Sequence, residues 1–586
     1  MRQTRPPRGS RRGTPQVRLR AGFVVIAMVL SVFGARLVQL QGVDPNSYAA
    51  MAAAEGLVEV DLPAERGDIL DRNGKALADS VDGLMIVADP LMTAEKAPEI
   101  ARFLYRELDV DYATTLNRLR EEGSRYEYIA RRVPATKANQ VIAAAEKAKY
   151  KGLYTQHDPL RDYPVGDVAA NLVGFLGTDE PLAGLERTFD DQLSGTDGSA
   201  RYEVGAGNRI PLGENTVTDP VDGQDLQTTI DLDLQWYTQR VLRQTVQAAG
   251  GDSGFAVVMD TRTGEILAEA DHPTFDANFP TESPKADLGS RALQDVYEPG
   301  SVEKVLTLSA LIDLGLMTPR TQLVVPPSLQ REDSPIGDWF DHGTIRLTLA
   351  GVLAKSSNIG TVLAADHFKA GQLHEYLSRF GLGQRTDIGV RGETDGLLPA
   401  PGEWTHQMQD RIAFGQSLSV NGVQMAAAVN TIANGGVRVS PSLIMGSATT
   451  DEGDVVGTDT TTERRVISEE AARQTMLMME RVVDPEAGVA PGAAVPGYRV
   501  AGKTGTAQAV GEECACYDGT FTVSFAGFAP ADDPKFTVYV VVKNPRNGGG
   551  GGSVAGPAFS KIMAYALKRY AVPPTGTRPS RLPVEW

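Results

Sequence analysis

Cysteine is nearly absent from this chain, with two in 586 residues, too few for the disulfide framework that holds small secreted folds together. Histidine is scarce as well. Its six positions, His157, His272, His342, His367, His374 and His406, show no ligand spacing with Cys514 and Cys516 or with one another, so no metal site and no cofactor are expected. Acidic residues are missing from the first 20 positions, which hold seven arginines. Residues 21–586 carry the opposite bias, 50 basic against 74 acidic groups, a net of −24, which excludes a nucleic-acid-binding body. No internal repeat is visible.

What is present begins with an uncharged apolar run at residues 21–35. Fifteen helical residues reach only about 22 Å, but continuing through Leu37, Val38 and Leu40, with Arg36 snorkelling, spans roughly the 30 Å of a bilayer core. The reading is one transmembrane helix at 21–40, with residues 1–20 as a disordered basic tail beside anionic cytoplasmic lipid and the bulk of the chain outside. A cleaved signal peptide competes, because the run is short and Gly34 and Ala35 are small.

The length allows two to four domains, and 42% hydrophobic residues suffice for a sizeable core. Residues 41–225 show a mixed pattern that includes a helix at 135–147. Asp231 is placed to cap a helix that opens a second large region, 226–572. Within it, residues 445–465 are rich in Thr, Asp and Gly and read as a surface loop, and the glycine run 548–552 as a flexible hairpin tip near a cleft. Four prolines, Pro573, Pro574, Pro579 and Pro583, mark a tail, 573–586, without a fold of its own. Cys514 and Cys516 lie in a polar loop and are read equally as a strained local disulfide or as free thiols. Gly251-Asp252-Ser253-Gly254 resembles the nucleophile signature of trypsin-like proteases, but it leads into a hairpin turning at Asp260 to Gly264, which makes Ser253 a loop residue.

Three motifs carry chemistry. Pro299 and Gly300 deliver Ser301 to the start of an apolar helix, on which Lys304, three residues on, shares its face. A serine hydroxyl is a weak nucleophile until a base takes its proton, and a lysine serves only if desolvation lowers its pKa. The plain alternative is a helix cap followed by an exposed lysine. Ser356-Ser357-Asn358 reads as a loop or helix start, with Ser356 able to pass a proton and Asn358 able to orient a lysine and a substrate carbonyl; alone it is a polar turn. Lys503-Thr504-Gly505-Thr506 follows a strand pattern and offers Lys503, Thr504 and Thr506 to a carboxylate, with Gly505 permitting close backbone approach. Its plain alternative is an edge strand guarded by a lysine.

Taken in order, these motifs resemble those of the class B penicillin-binding proteins, monofunctional peptidoglycan D,D-transpeptidases. Tyr297 to Ser301, Ser357-Asn358-Ile359-Gly360, Phe414-Gly415-Gln416, Asn434-Gly435-Gly436, Gly502 to Gln508 and Ser524 to Pro530 resemble the catalytic domain. Arg66 to Gly74 and Gly184-Leu185-Glu186-Arg187 resemble the non-catalytic pedestal. The resemblance implies an α+β chain: a single N-terminal transmembrane helix, an elongated dimerisation-type pedestal at 41–225, and a transpeptidase domain at 226–572 related to serine β-lactamases, with an antiparallel sheet flanked by helices and an all-helical lobe. It implies Ser301 as nucleophile, Lys304 as base, Ser356 and Asn358 as proton path, and Lys503, Thr504, Gly505 and Thr506 as substrate clamp. Backbone N–H groups of Ser301 and Thr506 would form the oxyanion hole. Glu303 departs from the family pattern, since relatives carry an apolar or small residue there and a carboxylate would raise the Lys304 pKa unless it points away.

The implied substrates are D-Ala-D-Ala stem peptides, with β-lactams as inhibitors. The juxtamembrane Ala35 to Gln41 and the pedestal look closest to the cell-division type, with a membrane glycosyltransferase and other divisome proteins as partners and the catalytic domain extracytoplasmic on a single-pass anchor in the cell membrane. No glycosyltransferase domain precedes the pedestal, so the chain is expected only to crosslink. The alternatives are an elongation-type transpeptidase, a penicillin-sensing receptor and an inactive divisome scaffold. A β-lactamase would need a water-activating base, and no Glu can be assigned that role.

Overall fold

The computed structural model describes residues 15–39, 57–177, 180–205, 208–209, 216–331, 334–511 and 516–586. They fall into two compact units, one holding residues up to 64 with 196–221, the other 65–195 with 222–586.

In the first unit, helix α1 (Pro15–Val38) carries an apolar window, Gln16–Val38, of mean hydropathy 2.2 with none of it buried. Its 24 residues extend about 36 Å, enough to cross a bilayer. The helix starts six residues before the expected 21 and takes Arg18 and Arg20 out of the stretch read as disordered. Proline is tolerated at a first helical position because its missing N–H has no partner there anyway. Residues 1–14 lie outside the described residues. The same unit holds an antiparallel sheet in which Gly198–Gly205 runs between Leu57–Leu62 and Thr216–Thr218.

The second unit begins with a small α/β layer. Strand β1 (Gly83–Ala88) lies between β2 (Glu127–Pro134) and β3 (Leu153–His157), antiparallel to both. Helices α2 (Ala97–Leu108) and α3 (Ala135–Lys147) bury Ile100, Leu104 and Val141 against Ile86 and Ala88, and α3 has the bounds that the sequence predicts. Nearby, two of the sequence blocks meet. Arg66 Nε donates to Glu186 Oε2 at 2.7 Å and Arg161 Nε to Glu186 Oε1 at 2.7 Å, so one buried carboxylate takes two guanidinium groups.

The larger part is built on a five-stranded antiparallel sheet. Helix α4 (Leu232–Ala249) opens it, capped by Asp231, whose Oδ1 accepts from the N–H groups of Asp233 and Leu234. The strands β4 (Ser253–Asp260) and β5 (Ile266–His272) form the expected hairpin, and α5 (Lys304–Asp313), α6 (Leu349–Lys355), α7 (Asn358–Ala365), α8 (Gly422–Ala433) and α9 (Glu469–Val483) follow. The sheet is completed by β6 (Ala501–Val510), β7 (Tyr517–Ala529) and β8 (Phe536–Lys543), in the order β5-β4-β8-β7-β6, before helix α10 (Gly551–Arg569). β8, Phe-Thr-Val-Tyr-Val-Val-Val-Lys, is buried at every position but the last. A continuous apolar strand of this kind fits a centre covered on both faces. Gly254 packs on Leu242 and Val246 of α4, whereas an added Cβ on Gly422 of α8 would meet the Phe255 ring at 2.4 Å; successive residues of β4 thus face helices on opposite sides of the sheet. Helices α5, α6, α7 and α9 pack together as a helical lobe, in which α5 is buried from Lys304 to Ile312.

Four expectations change. Ser253 is the first residue of β4, paired with Lys543, and so is a strand residue. The glycine run is a helix start: Gly550 is the cap of α10, and a Cβ on Gly551 would lie 2.2 Å from Ser524 O and 2.5 Å from Gly505 O. Only glycine permits that approach. The 445–465 segment contains short strand pieces at Ala448–Thr449, Val455–Val456 and Glu463–Arg465. The proline tail has no helix or strand of its own but is packed down, with Thr348 Oγ1 donating to Pro583 O at 2.5 Å and Trp586 Nε1 to Leu347 O at 3.1 Å.

Candidate active site

Ser301 stands on a single 3₁₀ turn, Gly300–Val302, from which α5 continues at Lys304. Gly300 has φ 54°, and its N–H donates to Gly415 O at 2.9 Å. A Cβ on Gly415 would come within 2.0 Å of Gly300 O, so the Phe414-Gly415-Gln416 block holds the nucleophile turn by backbone contact that no larger residue allows. Glu298 fixes the turn from the other side, accepting from Ser417 N at 2.8 Å and from the Tyr517 hydroxyl at 3.1 Å.

The second motif is a reversal between two helices. Ser356 closes α6 in the left-handed region, φ 59°, and Ser357 caps α7 by accepting from Gly360 N at 2.8 Å. This turn aims three acceptors at one amine: Lys304 Nζ donates to Asn358 Oδ1 at 2.7 Å and to Ser356 O at 2.8 Å, with Ser356 Oγ at 3.5 Å. Lys503 Nζ reaches the same hydroxyl from β6, donating to Ser356 Oγ at 2.8 Å and to Thr504 O and Oγ1 at 3.0 and 3.1 Å. Both lysines are fully buried, which removes the two plain alternatives, an exposed helix lysine and an edge-strand guard.

Burial pulls the Lys304 amine down to about 7, and the Asp338 and Glu303 carboxylates oppose it only in part. A neutral amine has two N–H donors and a lone pair. With the donors spent on Ser356 O and Asn358 Oδ1, the lone pair is left to accept a proton. Burial, then the charge of Lys304, also pushes Lys503 well below the usual lysine value. Glu303 does point away. It is buried, its Oε1 accepts from Thr307 Oγ1 at 2.6 Å, and burial pushes its carboxyl well up, against the pull of Thr307 and Lys304.

Among the described residues the Ser301 hydroxyl makes no hydrogen bond. It opens instead onto a groove of about 210 Å³ lined also by Asn358, Arg411, Gln416, Thr506 and Gln508. Thr506 is exposed at this groove. Gly505 behind it has no room for a side chain, because a Cβ would lie 2.2 Å from Ser524 Oγ. Cys516 is disulfide-bonded; Cys514 lies outside the described residues.

Sequence reasoning missed Asp338 and Arg411. Asp338 accepts from Ser357 Oγ at 2.7 Å and from Ile359 N at 3.0 Å. Arg411 reaches the groove with its Nη2 on Ser334 Oγ at 3.0 Å. Asp338 lies in a loop without periodicity, and its one sequence signal is position, shortly before the second motif. Arg411 lies three residues before the Phe414 block.

The arrangement can activate a hydroxyl, pass its proton through Ser356, and hold an anion beside it. The chain matches the family descriptions "Penicillin binding protein transpeptidase domain" over residues 254–564 and "Penicillin-binding Protein dimerisation domain" over 61–181 and 182–228. It is 36% identical to "Penicillin-binding protein PbpB" of Mycolicibacterium smegmatis, over 95% of this chain and 91% of the relative. It is 31% identical to "Peptidoglycan D,D-transpeptidase FtsI" of Escherichia coli, over 94% and 91%. The structure of penicillin-binding protein 3 of Mycobacterium tuberculosis complexed with aztreonam superposes with a TM-score of 0.69 at 31% identity, covering 90% of this chain and all of that one. With both family domains matched in sequence and the three motifs gathered around one groove, the chain belongs to the class B penicillin-binding proteins, enzymes whose catalytic unit is a transpeptidase.

Proposed function

We propose that this protein is a serine D,D-transpeptidase that crosslinks peptidoglycan stem peptides during septal wall synthesis. The observation that carries the chemistry is the Ser356 hydroxyl held between two buried amines, Lys503 at 2.8 Å and Lys304 at 3.5 Å. Ser301 Oγ attacks the carbonyl carbon of the penultimate D-Ala as its proton passes to the Lys304 lone pair. The oxyanion forms against the N–H groups of Ser301 and Thr506, donors worth roughly 3 kcal/mol each. The peptide C–N bond then breaks, the departing D-Ala nitrogen takes the proton back from Lys304 through Ser356, and the acyl group stays on Ser301. Thr506, exposed in the groove, meets the terminal carboxylate, with the buried Lys503 and Thr504 of the same clamp behind it, while the missing side chain of Gly505 makes room for Ser524 and Pro299. An amine of a neighbouring stem peptide attacks the ester, gives up its proton along the same path, and restores Ser301.

β-Lactams present the same carbonyl without a diffusing leaving group, so they acylate Ser301 and stay. The relatives named peptidoglycan D,D-transpeptidase support the substrate. The likeness of the juxtamembrane and pedestal sequence to the cell-division type supports the septal role, with a membrane glycosyltransferase and other divisome proteins as partners. The arginine-rich tail supports an anchor with its N-terminus in the cytoplasm and the catalytic domain outside. The domain limits that go with this are 41–225 and 226–572; the two family matches lie within 61–228 and 254–564.

The test is labelling of the detergent-solubilised chain with a fluorescent penicillin. Wild type is expected to hold the label for hours and Ser301→Ala to take none. An unlabelled wild type would remove the assignment, and an adduct that decays within minutes would make the protein a hydrolase.

A further inference from the structure

A loop at residues 334–343 presses on the second motif from outside the three motifs. Trp339 Nε1 donates to Lys355 O at 2.9 Å, Asn358 Nδ2 donates to Gly337 O at 3.0 Å, and Asp338 takes Ser357 Oγ and Ile359 N. Every residue of the reversal except Ser356 is therefore tied to three consecutive loop residues. The Asp338 side chain is fully buried and has a third partner, His342 Nε2, at 3.0 Å from Oδ2, on a side chain only 6% exposed. The other ring nitrogen of His342 faces Gly343 O at 2.5 Å. A ring nitrogen donating to Asp338 ties that carboxylate to its own loop. Phe340 packs against that ring, with centroids 4.9 Å apart.

We infer that Asp338 and His342 form a positioning pair for the acyl-transfer site, Asp338 holding the Ser356 reversal and its acceptors on Lys304, and His342 holding the Asp338 carboxylate in its place beside them. The inference rests on the function proposed above. Ser357 has one hydroxyl hydrogen. Directing it to Asp338 leaves a lone pair for Gly360 N, which fixes the start of α7 and with it Asn358. The titratable groups that act on Lys304 are Asp338 from the loop, Lys503 from β6 and the preceding Glu303, whose carboxyl is turned to Thr307. Among these, Asp338 is the largest contribution holding the amine up against burial.

The readout is the pH dependence of Ser301 acylation by a fluorescent penicillin, measured on the full chain in detergent. Lys304 accepts a proton only when neutral, so the rate falls on the acid side along a limb set by its pKa. Asp338→Asn removes a negative charge near the amine and is expected to move the limb down by about one pH unit; His342→Phe takes away the hydrogen bond that holds the carboxylate beside the amine and is expected to move it down as well. A purely structural role would slow acylation without moving the limb. Limbs that stay at the wild-type position, or a His342→Phe limb that moves up, overturn the pair. If Asp338→Asn does not fold, His342→Phe alone decides, a downward move supporting the inference and an unmoved limb overturning it. Wild-type labelling separates the two levels: a wild type that is not acylated removes the parent reading and this inference together.

Discussion

Lys304→Met is expected to give a folded protein that reacts with penicillin about a thousandfold more slowly, in the middle of the range for loss of a positioned base. Methionine matches lysine in length and apolar stem, so α5 keeps its packing. Only the amine is lost. Stability should carry a second signature. The amine titrates at about 7 in the folded protein against an ordinary 10.5, a depressed value that makes burial cost roughly 5 kcal/mol while both states hold the proton. Below about pH 7 that cost is complete. Between about 7 and 10.5 the unfolded chain holds a proton that the folded one has released, so this group makes the wild type more stable as pH rises. The variant lacks that slope. Urea denaturation at several pH values across this window, together with the labelling rate, checks both parts. A wild-type labelling rate would remove Lys304 as the base, and an unchanged pH slope would mean that the amine is charged when buried.

Glu186→Ala is expected to cost about 3–5 kcal/mol, the range for breaking a buried pair by removing one partner. The carboxylate is fully buried between Arg66 and Arg161, whose side chains are 11% and 4% exposed, and it also accepts from the Tyr163 hydroxyl at 3.3 Å. Arg161 already has one buried nitrogen without a partner, so it has no spare acceptor when Glu186 goes. Asp190 remains for Arg66, at 2.6 Å, which leaves Arg161 as the stranded charge. Tyr163 reports the change too: burial and then Glu186 hold its phenol above the usual range, and the variant should lower it. Denaturation of the full chain measures the loss. Less than about 1 kcal/mol would mean that water enters and solvates Arg161, as it does for surface pairs.

The sequence made the catalytic sheet and the three motifs legible because each rests on local rules. Asp231 caps α4, the turn at Asp260 to Gly264 closes the β4–β5 hairpin, and α3 follows an amphipathic pattern bounded by Pro134 and Lys147. What was not legible depends on partners distant in the chain. Gly551 and Gly552 look like a flexible tip until Ser524 O and Gly505 O are seen against the first and Val489 O against the second. The end of the chain looks unstructured until Thr348 and Gly351 receive it, with a Cβ on Gly351 only 1.9 Å from Val584 O. Asp338 looks like a solvated loop acid until Ser357, His342 and Ile359 close around it. Glu303 was visible as an anomaly, but its direction was not, because that depends on Thr307 taking its carboxyl one turn away.

The strand order sets a timetable for biogenesis. The sheet's middle strand is its last in sequence, so the β4–β5 hairpin emerges with one edge destined for a partner that has not been made. Tyr297 and Tyr539, whose hydroxyls meet at 2.8 Å across this sheet, are 242 residues apart. At 5–20 residues per second that separation is roughly 10–50 s of synthesis. During that interval the Phe-Ala-Val-Val-Met edge of β4 is open to pairing with other chains. A ribosome stalled between these points would therefore hold a hairpin with that edge unpaired, whereas a chain ending after residue 543 would contain all five strands and lack the α10 cover.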